Sequence, residues 1–123
     1  MIMEEHPDSP VRQLARALLV DIYSATRPTG ARPGPAELRR AARTAVLCLE
    51  QAVRSVAPAQ LAEARAALDQ VALHTRRCRR QGLLAERPAR TLLARQAAAT
   101  SALDELLRRD RDDRDRGEAA GGQ

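Results

Sequence analysis

A chain of 123 residues whose hydrophobic 44% is nearly all Ala, Leu and Val, with Tyr23 as its one aromatic, has room for one domain and too few β-branched and aromatic residues for a sheet-rich fold. Its basic residues number 21, all Arg, against 16 acids, a net charge of +5: residues 1–9 carry −3, residues 108–118 are balanced, and residues 10–107 hold +8. The acidic start, Met1-Ile2-Met3-Glu4-Glu5-His6, is unlike a secretory signal, and no apolar run approaches the ~20 residues that span a bilayer, so the expected location is cytoplasmic, with Cys48 and Cys78 reduced.

Residues 1–9 read as a flexible leader ending in Ser9-Pro10, an N-cap followed by a proline suited to the first helical position. The first helix is expected over Pro10 to about Thr26, with Val11, Leu14, Ala15, Leu18, Leu19, Ile22 and Tyr23 on one face. Arg27-Pro28-Thr29-Gly30-Ala31-Arg32-Pro33-Gly34 breaks it, and Pro35 opens a second helix with its stripe at Leu38, Ala42, Ala45, Val46, Leu49, Ala52, Val53 and Val56. Pro58 separates this from a third helix over about Ala59 to Gln81, striped by Leu61, Ala64, Leu68, Val71, Ala72 and Thr75. Gly82 and Leu83 then have the pattern of a Schellman cap. A fourth helix starts near Arg87-Pro88 and runs to about Arg109, with Leu92, Leu93, Ala99, Leu103, Leu106 and Leu107 inward. Residues 110–123 read as a charged, disordered tail, although Arg and Asp three or four apart can carry the helix on by a turn or two.

Four amphipathic helices with short links predict an all-α, antiparallel up-down-up-down four-helix bundle over residues 10–109. Ala-rich helices bury little area each, so the thin core also predicts a homo-oligomer.

The densest chemistry is His74-Thr75-Arg76-Arg77-Cys78-Arg79-Arg80, with Arg87 and Arg90 just beyond; residues 71–100 hold seven Arg and one acid. Cations suit a helix C-terminus, but four adjacent guanidiniums repel one another unless an anion offsets them. Guanidinium binds phosphate bidentately. Arg39, Arg40 and Arg43 begin the second helix, which the bundle topology brings to the end of the third, so the two clusters should merge into one basic end. The candidate nucleic-acid contacts are therefore Arg39, Arg40, Arg43, Arg76, Arg77, Arg79, Arg80, Arg87 and Arg90. With one aromatic residue in the chain, binding should run through phosphates, with little sequence reading and a strong salt dependence.

His74 and Cys78 stand four apart, but Cys48 falls at a different level of the hairpin, which disfavours a shared metal or a disulfide. No catalytic pairing, no Glu-x-x-His pattern and no phosphate-cradling Gly loop is present, so neither an enzyme nor a cofactor is expected. The Arg clusters alone also suit an acidic protein partner.

Ile22-Tyr23-Ser24-Ala25-Thr26, the Pro-containing turn and Leu38-Arg39-Arg40-Ala41-Ala42 resemble a family of small four-helix-bundle proteins. That family includes the proteins encoded by 23S rRNA intervening sequences and the accessory variability determinants of diversity-generating retroelements. The stretch from Ala66-Ala67-Leu68 through Leu73-His74-Thr75-Arg76-Arg77-Cys78-Arg79-Arg80-Gln81-Gly82-Leu83-Leu84 is similar to the retroelement branch. Cys48-Leu49-Glu50-Gln51-Ala52 stands where the intervening-sequence branch has Asn-Ile-Ala-Glu-Gly, and no Trp follows the fourth helix. The resemblance spans residues 11–107. It implies a ring-like homopentamer with a basic surface, binding RNA or DNA and a reverse transcriptase, with Arg39, Arg40, Arg76, Arg77, Arg79 and Arg80 at the matching basic positions.

Overall fold

The computed structural model describes the backbone of residues 9–121 and the side chains of residues 9–117. The leader of residues 1–8 and the last two residues lie outside the described residues. Four helices follow in order: α1, Pro10–Thr26; α2, Pro33–Arg54; α3, Pro58–Arg80; and α4, Glu86–Gly121. A short 3-10 turn, Arg27–Thr29, joins α1 to the loop before α2. Among the described residues there is no strand. No helix among them is long and apolar enough to cross a membrane.

Each helix starts where the local chemistry favours it. The Arg12 amide donates to Ser9 Oγ at 3.3 Å, and Pro10 occupies the first turn of α1. The helix α2 begins at Pro33, two residues before the expected Pro35. The first turn of a helix has no intrahelical acceptors for its N–H groups, so both prolines fit there. The end of α3 is a Schellman motif: Leu83 N donates to Cys78 O at 2.8 Å and Gly82 N to Arg79 O at 3.0 Å, with Gly82 at φ +75°. Leu84, just past it, is buried.

The helix α4 continues to Gly121 as a helix of 36 residues, about 54 Å, well beyond the expected Arg109. Residues 110–121, read from sequence as tail or a further turn or two of helix, are helical, with ion pairs at helical spacing along the helix as far as Arg116. Arg114 meets Asp110 at 3.1 Å, Arg116 meets Asp113 at 3.8 Å, and Arg109 reaches Glu105 at 3.5 Å.

The core runs through all four helices. Val11, Ala15, Leu18 and Ile22 of α1 meet Leu38, Ala42, Ala45, Leu49 and Ala52 of α2. Leu61, Ala64, Leu68 and Val71 of α3 and Ala89, Leu92, Ala99 and Leu103 of α4 complete it. α1 packs on α2 and α4, and α3 packs on the same two. Buried polar groups are satisfied locally: Thr26 and Thr75 hydroxyls donate to Ile22 O and Val71 O, four residues back, at 2.7 and 2.8 Å. Gln96, at a core position the sequence reading passed over, donates to Leu68 O at 3.2 Å and so ties α4 to α3.

Two expectations about faces are corrected. Tyr23, placed by spacing on the inner stripe of α1, is 38% exposed. Leu93 is only half-buried and lies outside the core cluster.

Candidate nucleic-acid interface

Four helix termini meet at one end of the bundle. From the first turns of α2, Arg39 reaches the last carbonyl of α1, donating to Thr26 O at 3.3 Å and to Gly30 O at 2.6 Å. Gly34 lies so close to the end of α3 that a Cβ there would stand 3.0 Å from Gln81 Oε1 and 3.2 Å from Leu83 Cδ1. Ser24 and Ala25 of α1 share a groove with Arg87, Pro88 and Thr91 of α4.

This convergence concentrates charge. Residues 22–43 and 74–94, which build this end, contain eleven Arg and two acids, Glu37 and Glu86, a net of +9. The rest of residues 9–117 contains ten Arg and ten acids.

The four arginines of α3 are all exposed. Among the described residues none of Arg76, Arg77, Arg79 and Arg80 has a carboxylate within ion-pair distance. At about 100° per residue, Arg76 and Arg80 lie some 40° apart, with Arg79 and Arg77 to either side, a fan of roughly 160°. Thr75 and Cys78 occupy the buried side of the same turns and fix the fan's orientation.

The α2 triplet does not act as one unit. Arg40 faces α3, lining a groove of about 290 Å³ with Glu37, Ala41, Thr44, Ala67, Gln70 and His74. Arg39 and Arg43 face α1. Arg39 spends its donors on backbone carbonyls, and Arg43 Nη1 donates to the Tyr23 hydroxyl. Both acceptors are neutral, so the two charges still count toward the field. At this end α2 thus presents Arg40 on one side and Arg39 and Arg43 on the other. Arg87 is exposed in the α1–α4 groove, and Arg90 is held by Glu86, four residues earlier.

Sequence reading missed Arg27 and Arg32, both exposed in the α1–α2 connection at this same end. Their signal was present in the breaker-rich loop itself, which the bundle topology places between the two clusters. It also missed the position of Tyr23, one helical turn before Arg27.

The cysteines are both free. Burial pushes the Cys78 thiol up from its ordinary value; Glu37 adds to the rise and Arg39 opposes it. Cys48 is raised by burial and then by Glu63. A protonated, buried Cys78 beneath the α3 arginines is packing rather than a nucleophile.

Arginines without counter-charges at one end of a small bundle attract polyanions. The donors are bidentate, and the surface that carries them is held by caps and short turns rather than long loops. No family model, curated protein or solved structure matches the chain.

Proposed function

We propose that the chain is a cytoplasmic, non-enzymatic accessory protein that binds RNA or DNA through phosphate contacts at the basic end of an antiparallel up-down-up-down bundle. The carrying observation is the α3 fan, Arg76, Arg77, Arg79 and Arg80, exposed and without carboxylate partners among the described residues. Arg40 and Arg87 extend it onto α2 and α4, and Arg39, Arg43 and Arg90 add charge from sites already hydrogen-bonded or paired. The cross-helix links support the topology: Arg12 at the start of α1 pairs with Glu50 near the end of α2 at 3.3 Å, and Arg65 near the start of α3 pairs with Asp104.

The family resemblance adds two expectations to this reading. The first is a ring-like homopentamer, supported by a core built mainly from Ala and Leu. The second is a reverse transcriptase of a diversity-generating retroelement as protein partner. Binding of heterologous RNA and DNA, followed by fluorescence anisotropy across a salt series, tests the central claim. Affinity that rises steeply as salt falls supports it. No binding even at low salt overturns it and leaves the acidic-protein partner as the reading of the Arg clusters. Light scattering tests the assembly: a stable monomer of 13.4 kDa excludes the ring.

A further inference from the structure

We propose that Tyr23 is a stacking platform for one unpaired nucleobase, which makes the basic end prefer a single strand at that point; the inference rests on the nucleic-acid reading and refines it. Tyr23 is the chain's sole aromatic residue, in a protein short of bulky core side chains, and yet it stands 38% exposed. An aromatic ring is the largest hydrophobic gain such a core could take up, so its place outside calls for another use.

The ring is presented rather than loose. Its hydroxyl accepts a hydrogen bond from Arg43 Nη1, which ties it to α2. A concavity of about 350 Å³ is formed by Leu19, Val20, Tyr23, Ser24, Arg27 and Arg43. A second, of about 220 Å³, is formed by Tyr23, Arg27, Gly30 and Arg39. Val20 is 62% exposed and extends the apolar floor of the larger one.

Arg27 lines both concavities and has no carboxylate partner among the described residues. Its backbone is braced: Thr29 Oγ1 donates to Thr26 O at 2.5 Å, Gly30 N donates to Arg27 O at 3.3 Å, and Arg39 holds both Thr26 O and Gly30 O.

A half-exposed π-surface in an apolar concavity, with a guanidinium one turn away that lines it too, matches a nucleobase with its own phosphate. The base lies on the Tyr23 ring and the phosphate takes Arg27. Every base has a π-face, so the site reads strandedness and not sequence. A duplex, whose bases are already stacked, can use only the phosphate contacts. A two-fold copy of the chain fits less well, because Arg27 or Arg43 near the axis would face a like charge, and a heterologous ring contact is separated by the mass measurement below.

The chain has no Trp, so its intrinsic fluorescence comes from Tyr23 alone. Oligo(dT), an abasic strand of equal length and a duplex are titrated into the full-length protein, with anisotropy and tyrosine emission read together. The expected result is binding of all three, with emission quenched by oligo(dT) only. Tyr23→Leu should bind oligo(dT) about tenfold more weakly and the abasic strand and duplex unchanged. Tyr23→Phe, which keeps the ring, should retain most of the preference. Equal affinity of wild type and Tyr23→Leu for oligo(dT), or equal quenching by the abasic strand, overturns the platform while leaving phosphate binding intact. A Tyr23→Leu protein whose mass in light scattering falls assigns the patch to self-association and overturns it as well. Failure of all three ligands to bind overturns the nucleic-acid reading itself.

Discussion

The basic end of this bundle and the rest of it share helices, core and almost the same number of arginines, and differ in acids, two against ten, and so in what their arginines meet. Outside residues 22–43 and 74–94, at least seven of ten arginines lie within ion-pair distance of a carboxylate, among them Arg12 on Glu50, Arg65 on Asp104 and, at the border of the basic end in the α1–α4 groove, Arg95 on Asp21. At the basic end, among the described residues, one of eleven does: Arg90 on Glu86. Where the remaining basic-end arginines have acceptors, as Arg39 and Arg43 do, those acceptors are neutral and the charge is left unspent. The lesson is that an arginine count says little until its partners are known. The same residue type laces the helices together at one end and projects an uncompensated field at the other.

The contrast is exposed to direct tests, and the largest expected effect is electrostatic. Replacing Arg76, Arg77, Arg79 and Arg80 with Ala should shallow the slope of log affinity against log salt by roughly three to four, at about 0.9 per lost phosphate contact on duplex DNA. Replacing Arg108, Arg109, Arg114 and Arg116, four arginines of the balanced end, should leave that slope nearly unchanged. Equal losses from both sets would erase the distinction between the ends.

A core cut should affect both ends alike. Leu68→Ala, at a fully buried site beside the Gln96 hydrogen bond, should destabilise by about 2–5 kcal/mol in denaturant titration. The salt slope of the protein that remains folded should not move.

Single polar links should separate the ends again, more weakly. Arg39→Ala leaves Thr26 O and Gly30 O without their guanidinium donors and should cost about 1–3 kcal/mol in the same titration. Glu50→Ala removes a half-buried ion pair from the other end and should cost about 0.2–1 kcal/mol. A reversed order would mean that the α1–α2 turn is not braced by Arg39.

The smallest effect is a pH dependence. Both thiols are raised above their unfolded value, mainly by burial. The folded state therefore holds protons that the unfolded state has released, and stability present below about pH 8.5 declines as pH rises past it. Thermal melts of Cys48→Ala/Cys78→Ala should show a shallower alkaline decline than the parent. An identical decline would place the alkaline sensitivity elsewhere.

Much of the architecture was legible because it is local. Ser9-Pro10 and Gly82-Leu83 announce a helix start and a helix stop through groups within five residues of each other, and the leucine and alanine stripes follow from 3.6-residue periodicity. Local signals misled where two readings are both locally allowed. Pro33 and Pro35 each fit a first helical turn, and the mixed charges after Arg109 suit either a solvated tail or a helix laced by its own ion pairs.

The arginines of α3 could be named as a candidate site because they are adjacent in the chain. The spacing of four also puts Arg39 and Arg43 on one face of α2, but that this face meets α1 while Arg40 meets α3 could not be read, because it depends on how the helices pack.

The chain alone determined the number of helices, their caps and their apolar stripes, since these come from backbone donors, side-chain branching and spacing along a single segment. Only the packed bundle decided that Tyr23 stays on the surface, that Gln96 is buried against a carbonyl of another helix, and that Arg27 and Arg32 join the basic end. Those outcomes depend on helices brought together from distant parts of the sequence, where the fit between surfaces, and not propensity within one, selects what is covered and what is left to meet a ligand.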